Sequence, residues 1–420
     1  MSSSTAAILA LVIILLPPIT LAGDLHGFRA TLTRIHELSP GKYSEAVRRD
    51  SHRIAFLSDA TAAGKATTTN SSVSFQALLE NGVGGYNMNI SVGTPLLTFS
   101  VVADTGSDLI WTQCAPCTKC FQQPAPPFQP ASSSTFSKLP CTSSFCQFLP
   151  NSIRTCNATG CVYNYKYGSG YTAGYLATET LKVGDASFPS VAFGCSTENG
   201  LGQLDLGVGR FSYCLRSGSA AGASPILFGS LANLTDGNVQ STPFVNNPAV
   251  HPSYYYVNLT GITVGETDLP VTTSTFGFTQ NGLGGGTIVD SGTTLTYLAK
   301  DGYEMVKQAF LSQTADVTTV NGTRGLDLCF KSTGGGGGGI AVPSLVLRFD
   351  GGAEYAVPTY FAGVETDSQG SVTVACLMML PAKGDQPMSV IGNVMQMDMH
   401  LLYDLDGGIF SFAPADCAKV

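Results

Sequence analysis

Val101-Val102-Ala103-Asp104-Thr105-Gly106-Ser107 and Thr287-Ile288-Val289-Asp290-Ser291-Gly292-Thr293 are near copies of one another, 186 residues apart. Each is an apolar strand running into Asp-[Thr/Ser]-Gly, and the flanks also correspond, Asp108-Leu109-Ile110-Trp111 in one copy and Thr294-Leu295-Thr296-Tyr297 in the other. One Asp-Thr-Gly is common by chance, so the repeat is what carries the information. It implies two related halves, each offering one carboxylate at a strand-to-turn tip, facing each other across a pseudo-two-fold axis.

The rest of the chain is read outward from that pair. With 420 residues and 44% apolar content it can bury a large core, and its length argues for two domains. Charged residues are sparse at 12%, and 48 glycines accompany many Ser and Thr, a profile of short strands and turns. Between residues 81 and 420 alternating strands are cut by Gly, Pro and Ser clusters, as in the stretch from Gly85 to Pro95. Only Asp301 to Ala315 reads there as a helix of any length, with Tyr303, Val306, Ala309 and Phe310 on one face.

Ile8 to Leu16 and the small residues Leu21-Ala22-Gly23 read as an export signal over residues 1–23. The n-region has no Lys or Arg, so a signal anchor is the alternative. No stable membrane insertion of the remainder is expected. Residues 24–80 carry seven Lys/Arg, three of the five His and no Cys, and read as a removable pro-segment. From 81 onward 14 Lys/Arg stand against 23 Asp/Glu. A basic pro-segment can dock on an acidic cleft and detach when carboxylates protonate; a solvated amphipathic leader is the other reading of the same charges. The acidic balance excludes a nucleic-acid partner. The two halves are placed at 81–235 and 236–420, with the boundary near Asn233 to Gly237.

There are 12 cysteines, seven of them between Cys114 and Cys161. In an exported chain these form disulfides. The run Cys114-x-x-Cys117-x-x-Cys120 could suggest a metal site, but no His lies nearby and the compartment is oxidising, so no metal and no cofactor is expected. Sequons at Asn70, Asn89, Asn157, Asn233, Asn258 and Asn321 fit the secretory route. The expected location is extracellular, with the vacuole as alternative.

Chemically, a water held between two carboxylates can attack a peptide carbonyl when one accepts its proton and the other donates to the carbonyl oxygen. Close approach enforces that division, because two like charges cannot both ionise cheaply. Gly106 and Gly292 are expected to permit the tight turns that aim Asp104 and Asp290. Thr105 and Ser291 can lock the loops together, and Ser107 and Thr293 can hydrogen-bond the outer carboxylate oxygens. Tyr163 to Gly174 reads as a hairpin with a Gly-rich tip that could cover the cleft; an ordinary aromatic hairpin is the plainer reading. A serine hydrolase would need a base, and only His251 and His400 remain after residue 80, neither in a catalytic setting. No His-Glu-x-x-His occurs.

Asp104-Thr105-Gly106-Ser107, Tyr167-Gly168, Phe211-Ser212-Tyr213-Cys214, Asp290-Ser291-Gly292-Thr293 and the cysteine-rich insertion after Trp111 resemble the pepsin-like aspartic proteinases, specifically the nepenthesin-like group of plants. The resemblance covers about residues 81 to 420. It implies an all-β, bilobal fold with pseudo-two-fold related lobes and an endopeptidase acting on protein or peptide substrates at acidic pH. A monomer is expected. It further implies Asp104 and Asp290 as the catalytic pair, Tyr167 and Gly168 as the substrate-binding flap, and Trp111 as the partner of Tyr167. The family's pairing would join Cys114 to Cys117, Cys120 to Cys195, Cys141 to Cys161, Cys146 to Cys156, Cys214 to Cys417, and Cys329 to Cys376.

Two departures follow. Ser169 stands where the family's flap usually has Asp. In this fold each Asp loop is braced by a later strand of two apolar residues and Gly. The second lobe has Val390-Ile391-Gly392, whereas the stretch between Cys195 and Cys214 offers no good match and looks shortened. That gap keeps a second reading open, a catalytically impaired pepsin-fold binding or inhibitor protein.

Overall fold

A computed structural model of the chain describes residues 27–35, 38–62, 84–106, 109–121, 123–149, 151–167, 170–200, 210–217, 222–235, 237–247, 254–280, 282, 284–320, 322–332, 341–384 and 387–420. The export signal, Ser107, Gly168, Ser169, His251, Asn70, Asn321 and the stretch 201–209 lie outside these residues. So do residues 63–83, which hold the end of the proposed pro-segment.

The chain opens with strand β1 (Phe28–Arg34) and helix α1 (Tyr43–Ala62). In β1 the buried positions are Ala30 and Leu32, with polar residues between them, the period of a half-buried strand. Helix α1 buries Tyr43, Ala46, Asp50, Arg53, Ile54 and Leu57, spaced as one helical face. The first half continues with β2 (Tyr86–Val92), β3 (Leu97–Val102), β4 (Trp111–Gln113), β5 (Gly160–Tyr167), β6 (Gly170–Val183), β7 (Ala186–Gly200), β8 (Arg210–Cys214) and β9 (Ser224–Phe228). After it come β10 (Gln240–Pro243), β11 (Tyr256–Val257), β12 (Thr287–Val289), β13 (Thr296–Leu298) and helix α2 (Lys300–Gln313). The chain ends through β14 (Met379–Pro381), β15 (Ser389–Ile391), β16 (Met399–Asp404) and β17 (Ile409–Pro414). Helix α2 falls where its apolar period predicts, and Tyr303, Val306, Ala309 and Phe310 are buried together with Gly302.

The sheet that holds the molecule together runs β10-β17-β16-β8-β9-β1-β2-β6-β5, and it draws on both halves and on the N-terminal segment. Strand β1 is inserted between them: Phe28 to Leu32 pair with Phe228 to Ser224, and Thr33 and Arg34 pair with Asn87 and Tyr86. Phe211 of β8 stacks on Tyr403 of β16 at 4.6 Å and 9°, so aromatic packing crosses the same seam. The second half has its own five-stranded sheet, β11-β12-β15-β13-β14, in which β12 and β15 are parallel.

All 12 cysteines are paired, but four of the six disulfides differ from the expected set. Cys214–Cys417 and Cys329–Cys376 form as expected, whereas the insertion pairs Cys114 with Cys195, Cys117 with Cys120, Cys141 with Cys156, and Cys146 with Cys161. Burial sorts them. Cys114, Cys195, Cys146 and Cys161 are all fully buried and pair among themselves, leaving the more exposed sulfurs to one another. Strands β4 and β7 run parallel with Thr112 opposite Cys195, which brings Cys114 to a 5.4 Å Cα separation from it. Among the described residues no group of His, Cys, Asp or Glu could hold a metal ion, and no helix is long and apolar enough to cross a membrane.

Candidate active site

The two Asp loops meet face to face and hold each other through a symmetric set of hydrogen bonds. Ser291 N donates to Thr105 Oγ1 at 2.8 Å and Thr105 N donates to Ser291 Oγ at 3.2 Å. Each hydroxyl also reaches the opposite strand, Ser291 Oγ to Ala103 O at 3.3 Å and Thr105 Oγ1 to Val289 O at 3.4 Å. Within each loop the glycine N–H donates to its own aspartate, Gly106 to Asp104 Oδ1 at 3.0 Å and Gly292 to Asp290 Oδ1 at 2.8 Å. Thr293 Oγ1 donates to the outer oxygen, Asp290 Oδ2, at 2.5 Å. The counterpart Ser107 lies outside the described residues.

The glycines serve a different need from the one the sequence suggests. Neither Gly106 nor Gly292 has a positive φ. A Cβ on Gly292 would stand 2.2 Å from Asp104 Oδ1, and one on Gly106 would stand 2.9 Å from Asp290 Oδ1. Glycine is required at Gly292 by the opposite carboxylate, and at Gly106 first by Arg53 Nη2, 2.3 Å from the added Cβ, with the opposite carboxylate behind it.

The brace behind Asp290 is complete. Thr287, Ile288 and Val289 pair in parallel with Ser389, Val390 and Ile391, and Asp290 N donates to Ile391 O at 3.1 Å. Gly392 passes so close to Leu295 that a Cβ would lie 2.1 Å from its carbonyl oxygen. Asn393 Nδ2 then donates to Ser291 O at 2.9 Å. Behind Asp104, β3 pairs with β2, and no parallel strand covers its outer edge among the described residues. Val101, Val102 and Ala103 are half-buried, whereas Ile288 and Val289 are 1% and 2% exposed. A pocket of about 40 Å³ lies against Val102 to Thr105 and is lined also by Leu32, Met88, Phe211 and Ile226. Its walls are mostly apolar, with Asp104, Thr105 and Ser291 at the polar end.

Helix α1 lies over the pair, and its Arg53 reaches both carboxylates. Arg53 Nη2 donates to Asp104 Oδ1 at 2.5 Å and to Asp290 Oδ1 at 3.0 Å, while Nε donates to Asp290 Oδ2 at 2.8 Å. Arg53 is 8% exposed, Asp104 4% and Asp290 0%, so this is a desolvated ion triad. One turn earlier, Arg49 Nη2 donates to Gly292 O at 3.0 Å and Thr294 Oγ1 at 2.9 Å. Asp50 accepts from the N–H groups of Thr294 and Leu295 at 3.0 and 2.8 Å. The spacing of Arg49 and Arg53 on one helical face was available in the sequence. Charge count alone does not reveal it.

The two aspartates have unequal proton affinity. Burial pushes Asp104 upward, the Arg53 guanidinium opposes this, and the neighbouring Asp290 charge adds to it, so its carboxyl sits above the ordinary range. Asp290 feels the same burial, but Arg53 together with Thr293 and the Gly292 N–H outweighs it and holds its carboxyl below that range.

Other expected residues are placed as follows. Strands β5 and β6 pair antiparallel from Val162–Tyr175 to Tyr167–Gly170. Nothing is described of the Tyr167 side chain. Trp111 is buried beneath the hairpin with Tyr163 and Tyr165 and meets Phe121 edge-on at 6.4 Å. His400 is buried, and its Nε2 lies 3.0 Å from Ser212 Oγ, a structural position in the sheet.

Residues 86–209 match the family model described as xylanase inhibitor N-terminal, and residues 254–414 match that described as xylanase inhibitor C-terminal. The chain is 42% identical over 357 residues to aspartic proteinase nepenthesin-1 of Nepenthes gracilis, covering 80% of this chain and 79% of that protein. It is 34% identical over 424 residues to aspartyl protease family protein 2 of Arabidopsis thaliana, covering 92% of this chain and 84% of that one. Among solved structures it is similar to edgp, with a TM-score of 0.65 at 18% identity over 80% of this chain and 92% of that one. Basic 7S globulin from soybean gives a TM-score of 0.59, also at 18% identity, over 80% of this chain and 95% of that one.

Proposed function

The chain belongs to the pepsin-like aspartic proteinase family that includes the nepenthesins, and from that premise we propose that Asp104 and Asp290 activate a water for peptide-bond hydrolysis, in a protein drawn here in its latent form. The observation that carries the reading is Arg53 Nη2 bonded to Asp104 Oδ1 and Asp290 Oδ1 together. A single polar atom already bridges the pair, at the position a water needs in order to be held by both carboxylates. In the active form, after Arg53 has left with the pro-segment, the Thr293 hydroxyl and the Gly292 N–H still donate to Asp290 and make it the base that takes the water's proton. Asp104 keeps a proton and donates it to the substrate carbonyl oxygen. Acidic working pH follows from that division. Residues 24–80 act as the pro-segment, with α1 closing the cleft and β1 completing the sheet. Buried disulfides and exposed sequons at Asn89 and Asn157 support secretion, and the substrates are proteins or peptides.

The test is digestion of a denatured protein at about pH 3 to 5, the range in which a carboxylate pair can hold one proton, after acid activation of the full chain. Cleavage blocked by pepstatin supports the proposal. A folded, monodisperse protein that cleaves nothing sinks it. That outcome would favour the second reading, a non-catalytic binding protein, for which the uncovered outer edge of β3 among the described residues is the specific support.

Gly292→Ala tests the geometry. With a Cβ only 2.2 Å from Asp104 Oδ1 the loops must part. We expect a loss of about 1–3 kcal/mol by thermal unfolding and a fall in kcat of about 100-fold. Unaltered kcat would mean that the loops are not closely apposed in the working enzyme.

A further inference from the structure

The cysteine-rich insertion and the β5–β6 hairpin meet at a buried polar junction outside the Asp104–Asp290 site. Gln113, the last residue of β4, is 1% exposed, and both ends of its amide are taken. Its Nε2 donates to Phe121 O at 3.0 Å and to Gln123 Oε1 at 2.7 Å. Its Oε1 accepts from Phe121 N at 2.9 Å and from Asn199 Nδ2 at 3.4 Å. Those four bonds exhaust what a side-chain amide can make. Asn199, near the end of β7, turns its other end to the hairpin: its Oδ1 accepts from the Ser196 hydroxyl at 2.5 Å and from the Thr172 hydroxyl at 3.0 Å. Thr172 belongs to β6, and its Oγ1 lies 3.4 Å from the Tyr163 hydroxyl of β5. The path runs through hydrogen bonds from the insertion to both strands of the hairpin.

Thr172, Ser196 and Asn199 are buried as well, so a partner lost here is not replaced by bulk water, which is the condition under which one hydrogen bond has a large effect. The insertion end of the path is fixed by backbone. Thr118 N and Lys119 N donate to Thr197 O at 2.8 and 3.2 Å, and Asn199 N donates to Lys119 O at 2.8 Å. Phe121, gripped by Gln113 through both its N–H and its C=O, is the ring that meets Trp111 edge-on beneath the hairpin. Pairing of β6 with β7 sets the register of the hairpin. The junction adds a tie to β4 and to the insertion, and so limits how far the paired strands can swing.

We propose that Gln113 and Asn199 are positioning residues that hold the β5–β6 hairpin against the cysteine-rich insertion, so that substrate meets hairpin strands already in place. The inference rests on the peptidase reading given above, with the hairpin as a substrate-binding element. Both amides are buried and act through the hairpin, not through contact with substrate. A hairpin freed from the insertion has to be ordered when substrate binds, and that cost falls on KM and not on the proton transfers of Asp104 and Asp290.

The experiment uses the full chain carrying Asn199→Leu, with Gln113→Glu as the second variant. Two readouts are taken: kcat and KM for a peptide substrate between about pH 3 and pH 6, a span across the ordinary glutamate range, after acid activation, and amide hydrogen exchange along β5 and β6 in the latent form. Asn199→Leu should raise KM by about tenfold, the size of one buried hydrogen bond, with kcat unchanged, and should speed exchange along β6 by about tenfold. Gln113→Glu puts an oxygen in place of the donating Nε2, and that oxygen donates only while protonated. The groups bonded at Gln113 are neutral, the Phe121 backbone and the Gln123 and Asn199 amides, while Lys119 and Glu198 pair with each other at the surface at 3.7 Å. Ionisation therefore breaks the junction, and the KM of this variant relative to the unmodified protein should climb about tenfold between about pH 3 and pH 6. A simple packing defect would not follow pH in this way. Unchanged KM and exchange in both variants overturn the proposal, as does a relative KM for Gln113→Glu that is flat with pH. So does failure of both variants to fold, since the amides would then be folding determinants. If the unmodified protein cleaves nothing, the peptidase reading fails, while exchange along β6 still decides whether the junction holds the hairpin.

Discussion

Replacing Asp104 by Asn is expected to lower kcat by about 100- to 10,000-fold, the range associated with a positioned proton-transfer group. Asn fills the same space and keeps an oxygen for the Gly106 N–H, which donates to Asp104 Oδ1 at 3.0 Å. It cannot hold and release the proton that the attack on a carbonyl needs. The matching Asp290→Asn change should be at least as severe, because Asp290 is the proposed base and keeps the Thr293 and Gly292 hydrogen bonds that favour its ionised form. Single-turnover digestion of one protein substrate by acid-activated enzyme checks both. Cleavage by Asp104→Asn at the unmodified rate would remove Asp104 from the mechanism.

Arg53→Ala should release the latent form. The substitution leaves two buried carboxylates facing each other without a cation, and removing one partner of a buried pair costs about 3–5 kcal/mol. The sign with pH distinguishes this from a general loss of packing. With Arg53 present, Asp290 is held below the ordinary aspartate value of 3.8. Its contribution to docking is in place above that value and is lost as pH falls toward the lowered one. Asp104 behaves oppositely. Its raised carboxyl takes a proton earlier, so acidification relieves a cost there and removes no support. Without Arg53 the facing carboxylates cannot both ionise cheaply, so uptake of one proton by the pair relieves a cost. Latent Arg53→Ala should therefore be least stable near neutral pH and gain stability on mild acidification, whereas the unmodified latent form loses stability as Asp290 protonates. Thermal unfolding of both forms between neutral pH and about pH 2, a span that passes through the unperturbed aspartate range, measures this. Parallel pH profiles would show that Arg53 is not the lock.

Much of the site was legible because its signal is local and repeated. Asp104 with Thr105 and Gly106, and Asp290 with Ser291 and Gly292, announce themselves as a pair, and the hydroxyls of Thr105 and Ser291 have the short reach that a loop-to-loop lock requires. The all-β character followed from turn composition, and α2 from four apolar residues on one face. What stayed hidden depends on tertiary burial. The role of the glycines is set by a carboxylate and a guanidinium from elsewhere in the chain, which no local conformational rule contains. The disulfide partners in the insertion are chosen by which sulfurs the core encloses, and spacing alone is silent about that. Arg53 was counted among basic residues, but its aim comes from the helical phase of α1.

The Cys214–Cys417 bond joins β8 to the chain's end across a separation of 203 residues. Strand β1 enters the same sheet from the other end of the described chain. The seam thus gathers the start, the middle and the end of the polypeptide into one hydrogen-bonded layer. In terms of cooperativity, neither half can melt while the other persists unless that layer is torn. Heat should then meet a single unfolding unit, even though the sequence repeat suggests two. Evolutionary duplication and thermodynamic independence are different properties, and here the shared sheet separates them.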